Sequence, residues 1–571
     1  MSRSSRTGNP RYPALASTVF ITLILLFVAP ALADEAFSVL PLLREQRRDA
    51  EALERQQRLR QLTPPTVIDT PNETPAAALE TEGCWPVSGL RLAGNTLISR
   101  EALNEVVDPL LQPCMDEARV NAELKAITRL YLQQGYLASR PYLAQPPHAG
   151  ASLDILIVEG FVESVEFDDP DLPLSLSRAF PDLLGQPLRL STLEQGLNQM
   201  NRLQAFDLSA DLEPGELRGG TRVIIRSQRQ PASRLKLATS LDNRGSEATG
   251  RERLGVSLSL DSPLEHNDFL RLHSLRRLLP GRGDSRGYGL YYNSPYGPWR
   301  LALSLDRLEY RAALPGSNAS NSGQSDFYSL GVDRALWHDQ STTLGANLRL
   351  NYKRLDTRFS SERLRLRLQS PTLTSLDASL NLSWRDDALW NATLGYNQGL
   401  GWFGSDDRAA NPRAPQPLFR KYLASLWQLR EGVDPAFRWR WESELSLQYS
   451  PEPLPAIEQM AVAGDTAVRG FRRATVSGAS GAVWRNTLSL PLNNPLPVPL
   501  EIRPSLGLDA GWSRYDHGSP TQRLLGAHAG LQLSLPRGQL SLDYQRALQA
   551  SGTRRRDLEP GYWRAQLTLT F

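Results

Sequence analysis

The stretch "AHAGLQLSLPRGQLSLDYQ", residues 527–545, decides the fold, because its polar and apolar residues alternate on both sides of a turn. Small or apolar side chains occupy every second position around a Pro-Arg-Gly turn: Ala527, Ala529, Leu531, Leu533 and Leu535, then Leu540, Leu542 and Tyr544. The opposite face carries His528, Gln532, Ser534, Ser541, Asp543 and Gln545. Alternation with period two is typical of strands with one apolar face, so the stretch predicts an antiparallel hairpin.

The same alternation continues through the C-terminal part of the chain, for example in "LGVSLSLD" (254–261), "RLALSLD" (300–306), "RNTLSLPL" (485–492) and "SLGLDAGWS" (505–513). A soluble β-sandwich would also fit this pattern. Two features favour a membrane barrel. The region of about 340 residues suits about 16 strands, and "YWRAQLTLTF" ends in Phe571, an aromatic terminus that resembles the sorting signal of outer-membrane barrels. We predict a mainly β fold with an antiparallel transmembrane β-barrel of about 16 strands over residues 231–571.

The first residues indicate export from the cytoplasm. Arginines precede the apolar run "ALASTVFITLILLFVAPALA" (14–33), which ends in the small-x-small pattern that signal peptidase cleaves. We expect a signal peptide over residues 1–33. The alternative is a single membrane anchor, for which the apolar part is short. The net charge of +3 does not suggest a nucleic-acid partner.

The chain has two cysteines, Cys84 and Cys114. In an exported protein, two thiols with none left over favour one disulfide, which would close a loop of about 30 residues and stabilise the fold by roughly 3 kcal/mol. Two cysteines without nearby histidines are too few ligands for a metal site. We therefore expect neither a metal nor a cofactor.

Three further parts precede the barrel. Residues 37–62 are strong helix formers without Gly or Pro after Pro41, and past Leu43 arginine and glutamate occur on every face, as in a helix that lies in solvent or in a wet cavity. Residues 63–83 carry four prolines and predict a linker. Residues 84–160 and 161–230 each read as one small α+β module. In the first, "VNAELKAITRLYLQQGY" predicts a helix with Asn121 as its N-cap.

Nearly all of the mature chain resembles the transporters of the two-partner secretion family, the TpsB proteins of the haemolysin secretion/activation type. "CWPVSGLRLAGN" and "LDILIVEGFVESV" resemble the first polypeptide-transport-associated (POTRA) domain and its exit. "DLEPGELRGGTRVII" resembles the second, although "NRLQAF" lacks the proline-serine-asparagine often found there in relatives. The resemblance implies a bacterial outer-membrane barrel, two periplasmic POTRA domains, and a plug helix over residues 34–62.

Two segments, "VRGF" and "GLDAG", resemble the signature motifs of that family. The resemblance implies that the tip of a long extracellular loop folds back into the pore, the tip being Val468, Arg469, Gly470 and Phe471. It also implies that Arg469 meets Asp509 on the barrel wall. The residues agree with this expectation, because Asp509 lies on the polar face of its strand. Its neighbours Gly507 and Gly511 should leave room for a guanidinium to approach.

As a function, the resemblance implies export of a large partner exoprotein of the TpsA type, recognised through its N-terminal secretion domain. Further partners would be outer-membrane lipids, and barrel-assembly machinery and periplasmic chaperones during biogenesis. An alternative is an assembly or insertion factor of the same superfamily. An outer-membrane enzyme would need a clustered set of acid, base or nucleophile, and the six histidines form no spaced motif. A haemolysin, an adhesin, a contact-dependent inhibition toxin and a haem-scavenging protein are all compatible as the exported partner.

Overall fold

The computed structural model describes residues 53–59 and 84–571, apart from residues 247, 282, 314–318, 340, 362–364, 369, 435–436, 474, 493–498 and 517. The predicted signal peptide, the predicted linker and most of the predicted plug helix lie outside the described residues. The described part of that helix, α1, spans residues 53–59.

The first α+β module consists of β1 (Trp85–Pro86), β2 (Gly89–Ala93), α2 (Arg100–Val107), β3 (Cys114–Met115), α3 (Glu117–Gln133), β4 (Arg140–Leu143) and β5 (Ser152–Val158). Its three-stranded sheet has the order β2-β5-β4, with β5 parallel to β2. The core lies between this sheet and the helices, and the alternating Leu153, Ile155 and Ile157 of β5 are buried in it. A disulfide joins Cys84 to Cys114, beside the short pairing of β1 with β3.

Helix α3 corrects one prediction. Its N-cap is Asp116, whose side chain accepts a hydrogen bond from the Arg119 N–H at 2.8 Å, so the predicted N-cap, Asn121, lies inside the helix. The buried face of α3 also includes Glu123, whose two carboxylate oxygens have no hydrogen-bond partner among the described residues. Desolvation raises the pKa of Glu123 to about 7, because burial disfavours the charged carboxylate.

The second module consists of β6 (Phe161–Phe167), α4 (Leu176–Ala179), α5 (Leu190–Asn201), β7 (Leu208–Pro214) and β8 (Gly220–Ser227), with the sheet order β6-β8-β7. It packs directly on the barrel, because its core continues into Phe269, Tyr291 and Ala302 of barrel strands. At this junction the buried Arg202 donates hydrogen bonds to the Asn293 side chain and to the Asn267 carbonyl.

The barrel follows. Its first strands are β9 (Leu235–Asp242), β10 (Arg253–Asp261), β11 (Phe269–Arg277), β12 (Asp284–Tyr296), β13 (Trp299–Ala313), β14 (Ser320–His338), β15 (Thr342–Ser360), β16 (Arg365–Arg367), β17 (Thr372–Arg385) and β18 (Leu389–Leu400). The remaining elements are β19 (Arg420–Val433), β20 (Arg438–Tyr449), β21 (Met460–Ala461), β22 (Ser477–Gly478), β23 (Ser480–Ser489), β24 (Glu501–Arg514), β25 (Gln522–Leu535), β26 (Gly538–Ala550), a 3₁₀ turn (Arg555–Asp557) and β27 (Tyr562–Thr570).

Within the described part of the chain, sixteen of these strands form a closed antiparallel barrel, and β27 pairs with β9 at the seam. The short β16 adds a pairing to the end of β15, while β21 and β22 pair with each other inside a loop. The predicted 16-stranded antiparallel barrel preceded by two α+β modules is confirmed. The helices of the described residues are all too short or too polar to cross a membrane.

The alternation of the sequence corresponds to the two faces of the barrel wall. In β24, Leu508 is 58% exposed on the outer face, whereas its neighbour Asp509 is 1% exposed inside. In β25, His528 is buried inside, while Leu531 and Leu535 are exposed outside. A wall with apolar side chains outside and polar ones inside suits lipid on one side and water on the other.

Candidate functional site

The loop between β20 and β23, residues 450–479, folds back into the barrel as a hairpin. Its two arms pair through β21 and β22. At its tip, Val468 donates its backbone N–H to the carbonyl of Val462 at 2.9 Å, which closes a tight turn. The tip touches inward-facing residues of β24 and β25, so it lies in the lumen.

Arg469 uses all of its donor groups at this tip. Nε and Nη2 donate to the two oxygens of Asp509 at 2.6 and 2.5 Å, and the backbone N–H of Arg469 also donates to Asp509 at 3.0 Å. Nη1 lies 3.1 Å from the Thr487 hydroxyl and 2.8 Å from Nε2 of His528. Nη2 donates to the Asn486 carbonyl at 3.0 Å. This bidentate, buried ion pair between Arg469 and Asp509 is called the loop lock below.

Glycines allow the tip to approach the wall. Gly470 has φ +96°, and a side chain there would collide with the backbone of Arg546 on β26. A methyl group at Gly526 on β25 would collide with the carbonyl oxygen of Arg469. At Gly511 it would lie 2.5 Å from Val462 and 2.8 Å from Val468. Its position beside Asp509 predicts that Gly511 leaves room for the guanidinium of Arg469. In the structure it makes room for the apolar side chains of Val462 and Val468 instead.

At Gly507, the other glycine beside Asp509, a methyl group would collide with the carbonyl oxygen of Asn486 and would lie 2.5 Å from Nδ1 of His528, so this glycine makes room for the neighbouring strand and for the imidazole. Around the loop lock, the apolar residues of the tip and wall form one buried cluster: Val462, Ala467, Val468, Phe471, Val483, Leu524 and Ala547. Val468 and Phe471 thus pack into the wall on either side of Arg469.

Contacts beyond the motif also hold the tip. The backbone N–H groups of Arg472 and Arg473 donate to Glu559, in the loop between β26 and β27, at 2.7 and 2.9 Å. Asp465 lies 3.3 Å from Arg564 of the closing strand β27. Sequence reasoning missed Glu559, Asp465 and His528, because nothing in their neighbourhood marks them.

Helix α1 lies inside the same lumen. Glu54 is buried and pairs with Arg349 of β15 at 2.5 Å, and Arg55 pairs with Glu444 of β20 at 3.0 Å. The Asn293 side chain of β12 donates to Gln57 at 3.5 Å. Polar groups on different faces of this helix therefore contact different parts of the barrel wall.

The last residue lies at the seam of the barrel. Phe571 donates its backbone N–H to the Leu237 carbonyl at 2.8 Å and accepts a hydrogen bond from the Leu237 N–H. Its side chain is 67% exposed. The terminal aromatic group thus continues the pairing of β27 with β9.

One segment has the spacing of a hydrolase motif without its geometry. Residues 283–287, "GDSRG", have the GxSxG spacing, but Ser285 lies within strand β12 and not on the strand-to-helix turn that presents a hydrolase nucleophile. Among the described residues, no group of three or more His, Cys, Asp or Glu side chains is arranged to hold a metal ion.

Three family models match successive parts of the chain. The family model described as haemolysin secretion/activation protein ShlB/FhaC/HecB matches residues 219–533. A ShlB-type POTRA model matches residues 85–160, and a second POTRA model matches residues 161–214.

Similar proteins cover most of the chain. Hemolysin transporter protein HpmB of Proteus mirabilis is 32% identical over 518 residues, or 88% of each chain. Hemolysin transporter protein ShlB of Serratia marcescens is 32% identical over 474 residues, or 82% of each chain. Outer membrane transporter CdiB of Escherichia coli is 28% identical over 513 residues, 86% of this chain and 82% of that one.

Two solved structures have a similar fold. CdiB from Escherichia coli superposes with a TM-score of 0.80 at 24% identity, and covers 95% of this chain and 100% of that one. CdiB from Acinetobacter baumannii gives a TM-score of 0.73 at 19% identity with the same coverage. These structures support the fold and the presence of two modules before the barrel.

Proposed function

Because the chain belongs to the haemolysin secretion/activation protein family (ShlB/FhaC/HecB), we propose a mechanism for its work as a two-partner secretion transporter. The protein is an outer-membrane pore with two POTRA domains in the periplasm, and it exports a partner exoprotein. In the mechanism that we propose, the exoprotein passes through the lumen unfolded, α1 leaves its place, and the loop lock holds the lumenal loop in position.

The nature of the lumen wall supports passage of an unfolded chain. A cavity of about 390 Å³ beside α1 is lined by many short polar side chains, including Ser304, Ser329, Asn351, Ser379, Asn391, Thr393 and Ser446, together with charged and apolar ones. Hydroxyl and amide groups can exchange hydrogen bonds with any passing backbone without selecting a sequence. The periplasmic POTRA domains would first capture the secretion domain of the exoprotein, by adding its extended chain to a sheet edge.

The observation that carries the proposal is the complete hydrogen bonding of Arg469 by barrel-wall groups, with Asp509 accepting three of the bonds. A loop fixed in this way keeps one side of the lumen occupied, and the ion pairs of α1 with Arg349 and Glu444 do not involve it, so α1 can leave without release of the loop. Export is tested by expressing the chain together with an exoprotein that carries a matching secretion domain, and by following its appearance at the cell surface. An inserted, heat-modifiable barrel that leaves the exoprotein in the periplasm would contradict the proposal.

The plug role of residues 34–62 is proposed from the contacts of α1. Charged and amide side chains at positions 54, 55 and 57 engage inward-facing wall residues, and such a polar helix suits a wet cavity and not lipid. Deletion of residues 37–62 should raise the single-channel conductance in planar bilayers. Unchanged conductance would place this segment outside the conducting path.

The C-terminal Phe571 is proposed as the sorting signal that the barrel-assembly machinery reads during biogenesis. Its exposed side chain at the end of β27 supports this role. Deletion of Phe571 should lower the amount of heat-modifiable barrel in the outer membrane, whereas Phe571→Tyr should preserve it. Equal amounts in all three proteins would exclude the role.

A further inference from the structure

We infer that the lumenal loop has a second anchor, formed by Glu458 of the loop with Lys353 of β15 and Lys421 of β19. This inference rests on the proposed function in one respect, the need for a fixed loop during export. The anchor itself is defined by contacts that neither signature motif contains. It would hold the first arm of the loop, residues 450–461, while the loop lock holds the tip.

The contacts are short and buried. Lys353 Nζ lies 2.5 Å from one carboxylate oxygen of Glu458, and Lys421 Nζ lies 2.7 Å from the other. The side chains of Lys353 and Lys421 are 3% and 2% exposed, and that of Glu458 is fully buried. The carbonyl of Glu458 also accepts a hydrogen bond from Gln448 at 3.1 Å, so both the backbone and the side chain of this residue contact the wall.

The surroundings of the two cations are partly apolar. An apolar cluster of Phe419, Leu454 and Ala479 lies at the base of the arm, and Lys421 Nζ lies 5.6 Å above the Phe419 ring. The ammonium groups of Lys353 and Lys421, on different strands, share the carboxylate of Glu458. Removal of this carboxylate would take away a counter-charge that both buried cations share, which is less favourable than the loss of either lysine alone.

The second anchor and the loop lock act on separate parts of the wall. Lys353 and Lys421 belong to β15 and β19, whereas Asp509 belongs to β24, and residues 459–468 of the loop lie between the two attachments. The part of the loop that enters the lumen is therefore attached to the wall at two points, Glu458 and Arg469. Each attachment should restrain its own segment, because the two share no side chain.

A single cysteine in the first arm can show, without any exoprotein, how often the arm leaves its buried position. Both native cysteines are in the disulfide, so Leu454→Cys supplies one thiol, at a position that is fully buried in the apolar cluster. A membrane-impermeant maleimide added to intact cells should label this thiol slowly while the arm is held. We expect Glu458→Gln to raise the labelling rate at least about tenfold, since it removes the shared partner of two buried cations.

Matched variants separate an anchor for the loop from simple stabilisation of the wall. Lys421→Met leaves one ion pair and should change the labelling rate by less than about threefold. Combining Glu458→Gln with Lys353→Met and Lys421→Met removes all three charges, and should restore assembly if Glu458→Gln alone fails to insert, yet still give rapid labelling. Arg469→Ala should leave the Leu454→Cys rate near that of the parent, because the tip has its own attachment.

The outcomes are distinguishable from those of the export experiment. Slow, parent-like labelling of an inserted Glu458→Gln barrel, or of the triple variant, would overturn the second anchor, whether or not export occurs. Rapid labelling in Arg469→Ala alone would also overturn it, because the arm would then depend on the tip. Fast labelling in the Glu458 variants, with export reduced about fivefold or more, is the result that the anchor predicts.

Discussion

Replacing Asp509 by asparagine tests the loop lock with almost no change in side-chain volume. Asp509 is 1% exposed and accepts three hydrogen bonds from Arg469, at 3.0, 2.6 and 2.5 Å. The asparagine amide keeps one acceptor oxygen, but its NH₂ group would face the donors of Arg469. The buried guanidinium would also lose its counter-charge.

The size of the effect follows from the burial of the pair. Removing one partner of a buried ion pair costs about 3–5 kcal/mol, and a partly hydrated lumen favours the lower end. At about 1.4 kcal/mol for each factor of ten, a cost of about 3 kcal/mol lowers the ratio of held to released loop more than about 100-fold. We expect export to fall at least about tenfold, which corresponds to a parent loop held about ten times more often than it is released, so that the held fraction drops from about 0.9 to about 0.1.

The assay measures the exoprotein at the cell surface, with heat-modifiability of the barrel as the check on insertion. Arg469→Ala should behave like Asp509→Asn. Asp306→Asn is the matched control, because this lumenal aspartate of β13 lies 3.5 Å from His273 and not at the loop tip. Wild-type export by an inserted Asp509→Asn or Arg469→Ala variant would refute the reasoning.

The reciprocal exchange, Arg469→Asp with Asp509→Arg, should recover only part of the export. Arg469 also donates to the Thr487 hydroxyl and to the Asn486 carbonyl, and an arginine placed on β24 would not reproduce these bonds from the loop. Full recovery would mean that charge alone fixes the tip.

Three other predictions concern other parts of the molecule. Gly526→Ala should reduce export as strongly as loss of the loop lock, because its methyl group would displace the Arg469 carbonyl. The control is Gly345→Ala, where the nearest atom would lie 3.4 Å from the added methyl group. Normal export by Gly526→Ala would argue against a tight fit between the loop tip and β25. Loss of the disulfide in the double variant Cys84→Ser/Cys114→Ser should destabilise the first POTRA domain by roughly 3 kcal/mol, which would be seen as faster proteolysis of that domain. Free thiols at Cys84 and Cys114 in non-reduced peptides of the parent protein would exclude the bond. The pKa of Glu123 is raised from 4.5 to about 7 in the folded domain. Between these two pH values the folded domain retains a proton that the unfolded chain releases. The stability of the domain should therefore fall as pH rises from about 4.5 to 7, and should stay level at higher pH. Urea unfolding should show a free energy about 2–3 kcal/mol lower at pH 8 than at pH 5, and Glu123→Gln should remove this difference.

Much of the architecture could be predicted from local pattern alone. Period-two alternation identifies strands, because each strand of a barrel must present one face to lipid and the other to water. The same rule places Asp509 inside the barrel, since it alternates with Leu508 and Ala510. The helix of the first POTRA domain was also predicted, although its start was misplaced, because the strong N-cap Asp116 lies upstream of the segment read as helical.

The partners of the inward-facing residues depended on tertiary structure. Alternation predicts on which side of the wall a side chain lies. It does not predict which lumenal Lys, Asp or His side chains contact one another. Which of them meet depends on the register around the closed barrel and on the path of a loop that re-enters it. Lys353, Lys421 and Glu458 are brought together in this way from β15, β19 and the loop, and His528 reaches Arg469 from β25. Closure of the barrel brings together residues that are distant along the chain. A local sequence pattern cannot predict these contacts, because it contains no information on which strands and loops lie next to each other.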